Sequence, residues 1–112
     1  MHFGPWFSLN EALERAPETA GIVQLRAAAI FKYVKGQSAM VYYAASSSHE
    51  SLRAFMERTG SDIISHARHH GASLIRFAET EQPERELARL LNSFALRFGS
   101  LPIGNAPLGS EG

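Results

Sequence analysis

The chain has 112 residues, 45% of them hydrophobic, with 11 lysines and arginines against 11 aspartates and glutamates. That length suits one domain with a single modest core, and a formal net charge of zero supplies no bulk attraction to nucleic acid or to an anionic membrane. Cysteine is absent, which excludes disulfides, thiolate zinc sites and cysteine nucleophiles.

Met1-His2-Phe3-Gly4-Pro5-Trp6 lacks the basic-then-apolar order of a signal peptide. No apolar run approaches the ~20 residues of a membrane span. A soluble, cytoplasmic protein without membrane contact is expected. Ser8-x-x-Glu11 reads as a capping box opening a short helix that ends near Arg15, before Ala16-Pro17. Trp6 reads as a packing anchor for that helix. Gly21 to Val34 is rich in β-branched and aromatic residues and alternates as a strand does. Fourteen residues is long for one strand, so a bulge is expected at Ala27-Ala28-Ala29. Lys35-Gly36-Gln37-Ser38 is the turn of a hairpin. Residues 39–45 return antiparallel, and their nearly unbroken apolar character predicts the central strand.

Ser47-x-x-Glu50 reads as a second capping box, opening a helix to about Arg58 that stops at Thr59-Gly60. Ser61 caps a further helix that Gly71 closes. Residues 73–79 alternate as a strand. Pro83 opens the last helix, whose stripe of Leu87, Leu91, Phe94 and Phe98 is the strongest amphipathic signal in the chain, and Gly99 ends it. The expectation is an α/β domain over residues 1–105, with a small, mainly antiparallel three-stranded sheet flanked by helices, and a flexible tail over 106–112.

Gly21-Ile22-Val23, Tyr42-Tyr43-Ala44, the stretch from Ser46 to Leu52-Arg53, and Phe98-Gly99-Ser100-Leu101-Pro102 through Asn105 occur in an order that resembles the GIY-YIG domain. The resemblance spans residues 4 to 105. It implies a metal-dependent phosphodiesterase architecture, with Tyr42 in the catalytic network, Arg53 as the cation, and Glu86 as the ligand of magnesium or manganese. Several positions depart from the family pattern. Val23 replaces the first tyrosine and Ala44 a glycine. The family's arginine falls three residues after the helix-start leucine, where this chain has Phe55. Arg53 lies two residues earlier, about 200° around a helix. Leu90-Leu91 points back to Leu87, with Glu84 and Glu86 as acidic neighbours. On this reading Phe55 lines the cleft beside Tyr42, closing it or anchoring a partner.

The leading functional reading is a degenerate GIY-YIG-like module without nuclease activity or cofactor, binding nucleic acid or a protein partner through Arg26, Tyr43, Phe55 and Asn105. The alternatives are a divergent working endonuclease using Tyr42, Arg53 and Glu86, and a structural subunit of an assembly. Arg26, Lys32, Lys35, Arg53 and Arg76 could form a basic strip on one side of the sheet. His66 and His70, at i and i+4 on a helix, could share a metal ion if a third ligand came from elsewhere. His69 and His70 also suit a helix C-terminus electrostatically.

Overall fold

A computed structural model describes residues 1–106; the expected tail beyond Ala106 lies outside the described residues. Its strands are β1 (Phe7–Ser8), β2 (Gly21–Tyr33), β3 (Gly36–Ala45) and β4 (Leu74–Glu79), and its helices are α1 (Ala12–Arg15), α2 (Leu52–His69) and α3 (Pro83–Phe98). The strands make one antiparallel sheet in the order β1-β4-β2-β3. The class is therefore α/β with an antiparallel sheet, as expected. The sheet has four strands rather than three, because Phe7 and Ser8 pair with Ile75 and Leu74. Two residues carry no alternation, so that strand left no pattern to read.

The central strand is β2, which pairs with β4 on one side and β3 on the other. This corrects the placement of residues 39–45 at the centre: β3 is an edge strand. Its apolar character has another cause, because the 3-10 turn Ile103–Asn105 covers its outer side. The hairpin turns at Val34-Lys35 rather than over Lys35-Gly36-Gln37-Ser38: Gly36, at φ 111°, already pairs with Tyr33, and Gln37 and Ser38 pair with Lys32 and Phe31. The bulge falls where expected: register jumps between Leu25 and Arg26 and again between Arg26 and Phe31.

Two expected helices are one. α2 runs unbroken through Gly60, which is buried against Met56. Leu52, Met56, Gly60, Ile63 and Ala67 form a single buried stripe, and that continuity outweighs the ~1 kcal/mol a helical glycine costs. The N-cap is Ser51, whose Oγ accepts from the Ala54 amide at 3.1 Å. Ser47 serves a turn instead, accepting from the His49 amide. At the N-terminus, Ser8 Oγ accepts from Asn10 rather than from Glu11. Glu11 turns to Arg15 four residues on, so neither bond of the expected box forms. α3 follows the expected bounds, with Pro83 in its first turn and Gly99 in the left-handed conformation at its end.

Alternation along the strands splits the interior in two. Val23, Leu25, Ile75 and Phe77 join Leu52, Phe55, Met56 and Ile63 of α2 in the main core. Ile22, Gln24, Tyr43 and Ala78 are buried on the opposite face, where Phe94 of α3 meets Tyr33 and Tyr43 edge-on at 5.0 and 6.2 Å between centroids.

Phe55 is 8% exposed and belongs to the main core, not to a cleft beside Tyr42. Its place follows from the unbroken α2 stripe. In α3, Pro83 and Phe94 are buried but Leu91 only half-buried, so the helix is anchored at its first turn and at Phe94. Phe94→Ala should therefore lose roughly 3–5 kcal/mol in denaturant unfolding, and Leu91→Ala clearly less. Phe55→Arg forces an unpaired charge into the core; thermal melting should show the cooperative transition lost or lowered steeply.

Candidate functional site

Tyr42, Arg53 and Glu86, the residues the family resemblance puts forward for catalysis, do not come together. The half-buried Tyr42 faces α2, where its ring meets His66 edge-on at 5.4 Å. Burial raises its phenol pKa. Tyr43, one residue on, points through the other face to α3. Glu86 stands on α3, so Tyr42 and Glu86 lie on opposite sides of the sheet. The Glu86 carboxylate accepts from Arg89 Nε at 2.8 Å. Arg53, in the first turn of α2, ties down the loop after α1. Its Nη2 donates to the Glu14 carbonyl at 3.0 Å. Its Nε lies 2.8 Å from Glu18 Oε1, close enough for charge pairing but misaligned for a hydrogen bond. Glu86 and Arg53 are thus each engaged by neighbours in their own surroundings.

Asn105 has structural work. Its Oδ1 accepts from the Tyr43 amide and its Nδ2 donates to the Tyr43 carbonyl, both at 2.9 Å. One side chain thereby satisfies the outward backbone pair of the edge strand as a neighbouring strand would. Gly104 makes this approach possible: a Cβ there would stand 2.8 Å from the Val41 carbonyl oxygen. The Gly104 carbonyl in turn accepts from His66 Nε2 at 2.7 Å, which fixes the proton on that nitrogen. Tyr42, Asp62, Ile63, His66, Gly104 and Asn105 line a shallow cleft of about 400 Å³. His66 and His70 are 4.9 Å apart between ring centroids. Burial lowers the His70 pKa, and the neighbouring His66 and His69 lower it further. Among the described residues, no three His, Asp or Glu side chains group closely enough to hold a metal ion.

On the α3 side of the sheet, residues that the sequence left dispersed do assemble. Arg26 on β2 and Arg76 on β4 both lie against the Trp6 ring, with Cζ atoms 4.5 and 4.4 Å from its centroid. The Phe3 ring packs on Arg76 at 4.5 Å. Arg76 Nε donates to Oε1 of buried Gln24 at 2.6 Å. Arg26 Nε is buried without a hydrogen-bond partner. Among the described residues, neither arginine pairs with a carboxylate. Burial lowers the Arg76 pKa, Tyr43 opposes that shift, and Arg26 adds to it. Burial raises the pKa of Tyr43, which lies close by.

Of the expected basic strip only Arg26 and Arg76 are brought together. Arg53 is committed elsewhere, and Lys32 and Lys35 sit at the hairpin end. The signal for this pair was their placement on alternating strands of one sheet. Trp6 and Phe3, in a segment with only an isolated bridge and no regular element, offered no such pattern.

Compared with family models, curated proteins and solved structures, the chain matches none of them.

Asn105→Ala removes both bonds to Tyr43 and leaves a part-buried backbone pair unmet. A loss of roughly 1–3 kcal/mol is expected in denaturant unfolding. Hydrogen exchange at the Tyr43 amide should accelerate more than exchange at amides of β4.

Proposed function

We propose that the chain is a degenerate module of the GIY-YIG type, without nuclease activity, that binds nucleic acid through the sheet face carrying Arg26 and Arg76. What carries the reading is the acid-free arginine pair on a chain of zero net charge. A folded protein ordinarily compensates half-buried guanidiniums with carboxylates. Two held without them favour a ligand that brings negative charge, and guanidinium matches the geometry of phosphate oxygens.

The loss of nuclease activity is supported by the separation of Tyr42, Arg53 and Glu86. Phosphodiester cleavage needs an activated water, a stabiliser for charge on the phosphorane, and a leaving-group path at one phosphorus. Groups on opposite faces of a sheet cannot share a phosphorus.

Binding through two arginines is weak and depends on salt. For a fluorescein-labelled single strand, fluorescence anisotropy should give a slope of log K against log salt of roughly −1.4, since each neutralised phosphate contributes about −0.7. Arg26→Ala and Arg76→Ala should each flatten it. Plasmid DNA should stay intact with magnesium or manganese. Nicking that disappears in Glu86→Ala would overturn the reading in favour of a working endonuclease.

A further inference from the structure

The chemistry around Trp6 constrains what kind of phosphate can sit there. Both guanidiniums lie against the indole. The indole is therefore already engaged by the protein's own cations rather than standing as a bare platform for a nucleobase. Recognition falls to the arginine heads. Arg76 has committed its Nε to Gln24, which orients its remaining nitrogens, while Arg26 has no carboxylate to answer its charge. The floor beneath them is Gln24 and Tyr43, 3% and 6% exposed. Charges set on such a floor are less screened than charges at a free surface.

The arginines are also held in advance. The Gly4 amide donates to the Phe77 carbonyl at 2.9 Å, and Phe3 bridges to Ala78. The N-terminal segment is thereby pinned along the outer edge of β4, with Phe3 and Trp6 against the arginines. A ligand arriving there need not immobilise two flexible side chains, which is a cost that weakens most surface arginine contacts.

We infer that Arg26 and Arg76 form a site for a phosphate monoester, the terminal phosphate of a nucleic acid strand or of a nucleotide. This inference rests on the reading above and deepens it. Two uncompensated unit charges are matched by the dianion of a monoester. An internal diester carries one charge and leaves the second guanidinium unanswered. A terminal phosphate also has three free oxygens to share between two arginines, whereas a diester has two. Recognition is of the strand end, independent of sequence.

Trp6 is the only tryptophan, so intrinsic fluorescence reads the site directly. Inorganic phosphate, a nucleoside 5′-monophosphate, and matched oligonucleotides with and without a 5′-phosphate are titrated into the full chain. The expected result is a saturable change in Trp6 emission with inorganic phosphate. Preference for the phosphorylated over the unphosphorylated oligonucleotide should be roughly tenfold, the scale of one added hydrogen bond to a charged group. Arg26→Gln and Arg76→Gln should abolish that preference, while Arg68→Gln, exposed on α2, should leave it intact. Arg26→Lys keeps the charge without the planar fork and should retain part of it. Circular dichroism confirms that each variant is folded.

Equal affinity for both oligonucleotides, still dependent on Arg26 and Arg76, overturns the monoester inference and leaves the nucleic-acid reading standing. A monophosphate that binds while neither oligonucleotide does supports the monoester site and overturns the nucleic-acid reading. Emission unmoved by every phosphate overturns the site.

Discussion

The fold depends on how closely β2 approaches its neighbours at Gly21. A Cβ there would lie 2.0 Å from the Ala78 carbonyl oxygen and 2.8 Å from Leu52 Cδ1, so no side chain fits. The same residue's amide donates to Ser46 Oγ at 3.0 Å, and its carbonyl accepts from the Ser46 amide at 3.1 Å. Ser46 is buried, and this exchange is what satisfies it. Just outside, the Thr19 carbonyl accepts from the Leu52 amide, and the Ala20 carbonyl from the Thr80 amide. The ends of β2, β3 and β4 and the start of α2 are thus gathered at one point. Any residue larger than glycine at position 21 would push them apart together.

From that node, strand alternation decides which chemistry each face receives. Tyr42 and Tyr43 are neighbours in sequence, yet one goes to the histidine-lined cleft under α2 and the other to the arginine floor under α3. The two faces differ in kind. Under α2 lies the larger apolar core, with Phe55 inside it and Asn105 sealing its margin. Under α3 lies a smaller apolar patch and a polar one, where Gln24, Arg26 and Arg76 occupy positions that the other face gives to Val23, Leu25 and Ile75. A sheet with one apolar face and one mixed face is the arrangement that leaves charged groups half-desolvated without unfolding the domain.

Much of this was legible in the sequence. The hairpin, its bulge, the last strand and α3 follow from period, glycine and proline, since each of those signals is local. What misled was also local. Gly60 reads as a stop when taken alone, but Leu52, Met56, Ile63 and Ala67 continue one stripe through it, and tertiary burial prevailed. Ser47 and Glu50 have the spacing of a capping box, while Ser51 makes the cap that forms. Both the position of Phe55 and the separation of Tyr42 from Glu86 were hidden because they depend on which face each helix packs against. The Trp6 cluster was legible in only one half: arginines on alternating strands can be read, but a non-repetitive segment laid across them cannot.

The Asn105 clamp also has a consequence for the order in which the chain can be completed. Tyr43 and the residue that protects its backbone are 62 positions apart. During synthesis from the N-terminus, the hairpin emerges long before Asn105 does, and β3 spends that interval as a bare edge strand. An open edge is a template for another extended chain. The interval ends only when the turn Ile103–Asn105 arrives and supplies the missing donor and acceptor from a single side chain. Nascent chains stalled in that window would present an adhesive edge that the finished protein keeps covered, and would be the form most in need of a chaperone.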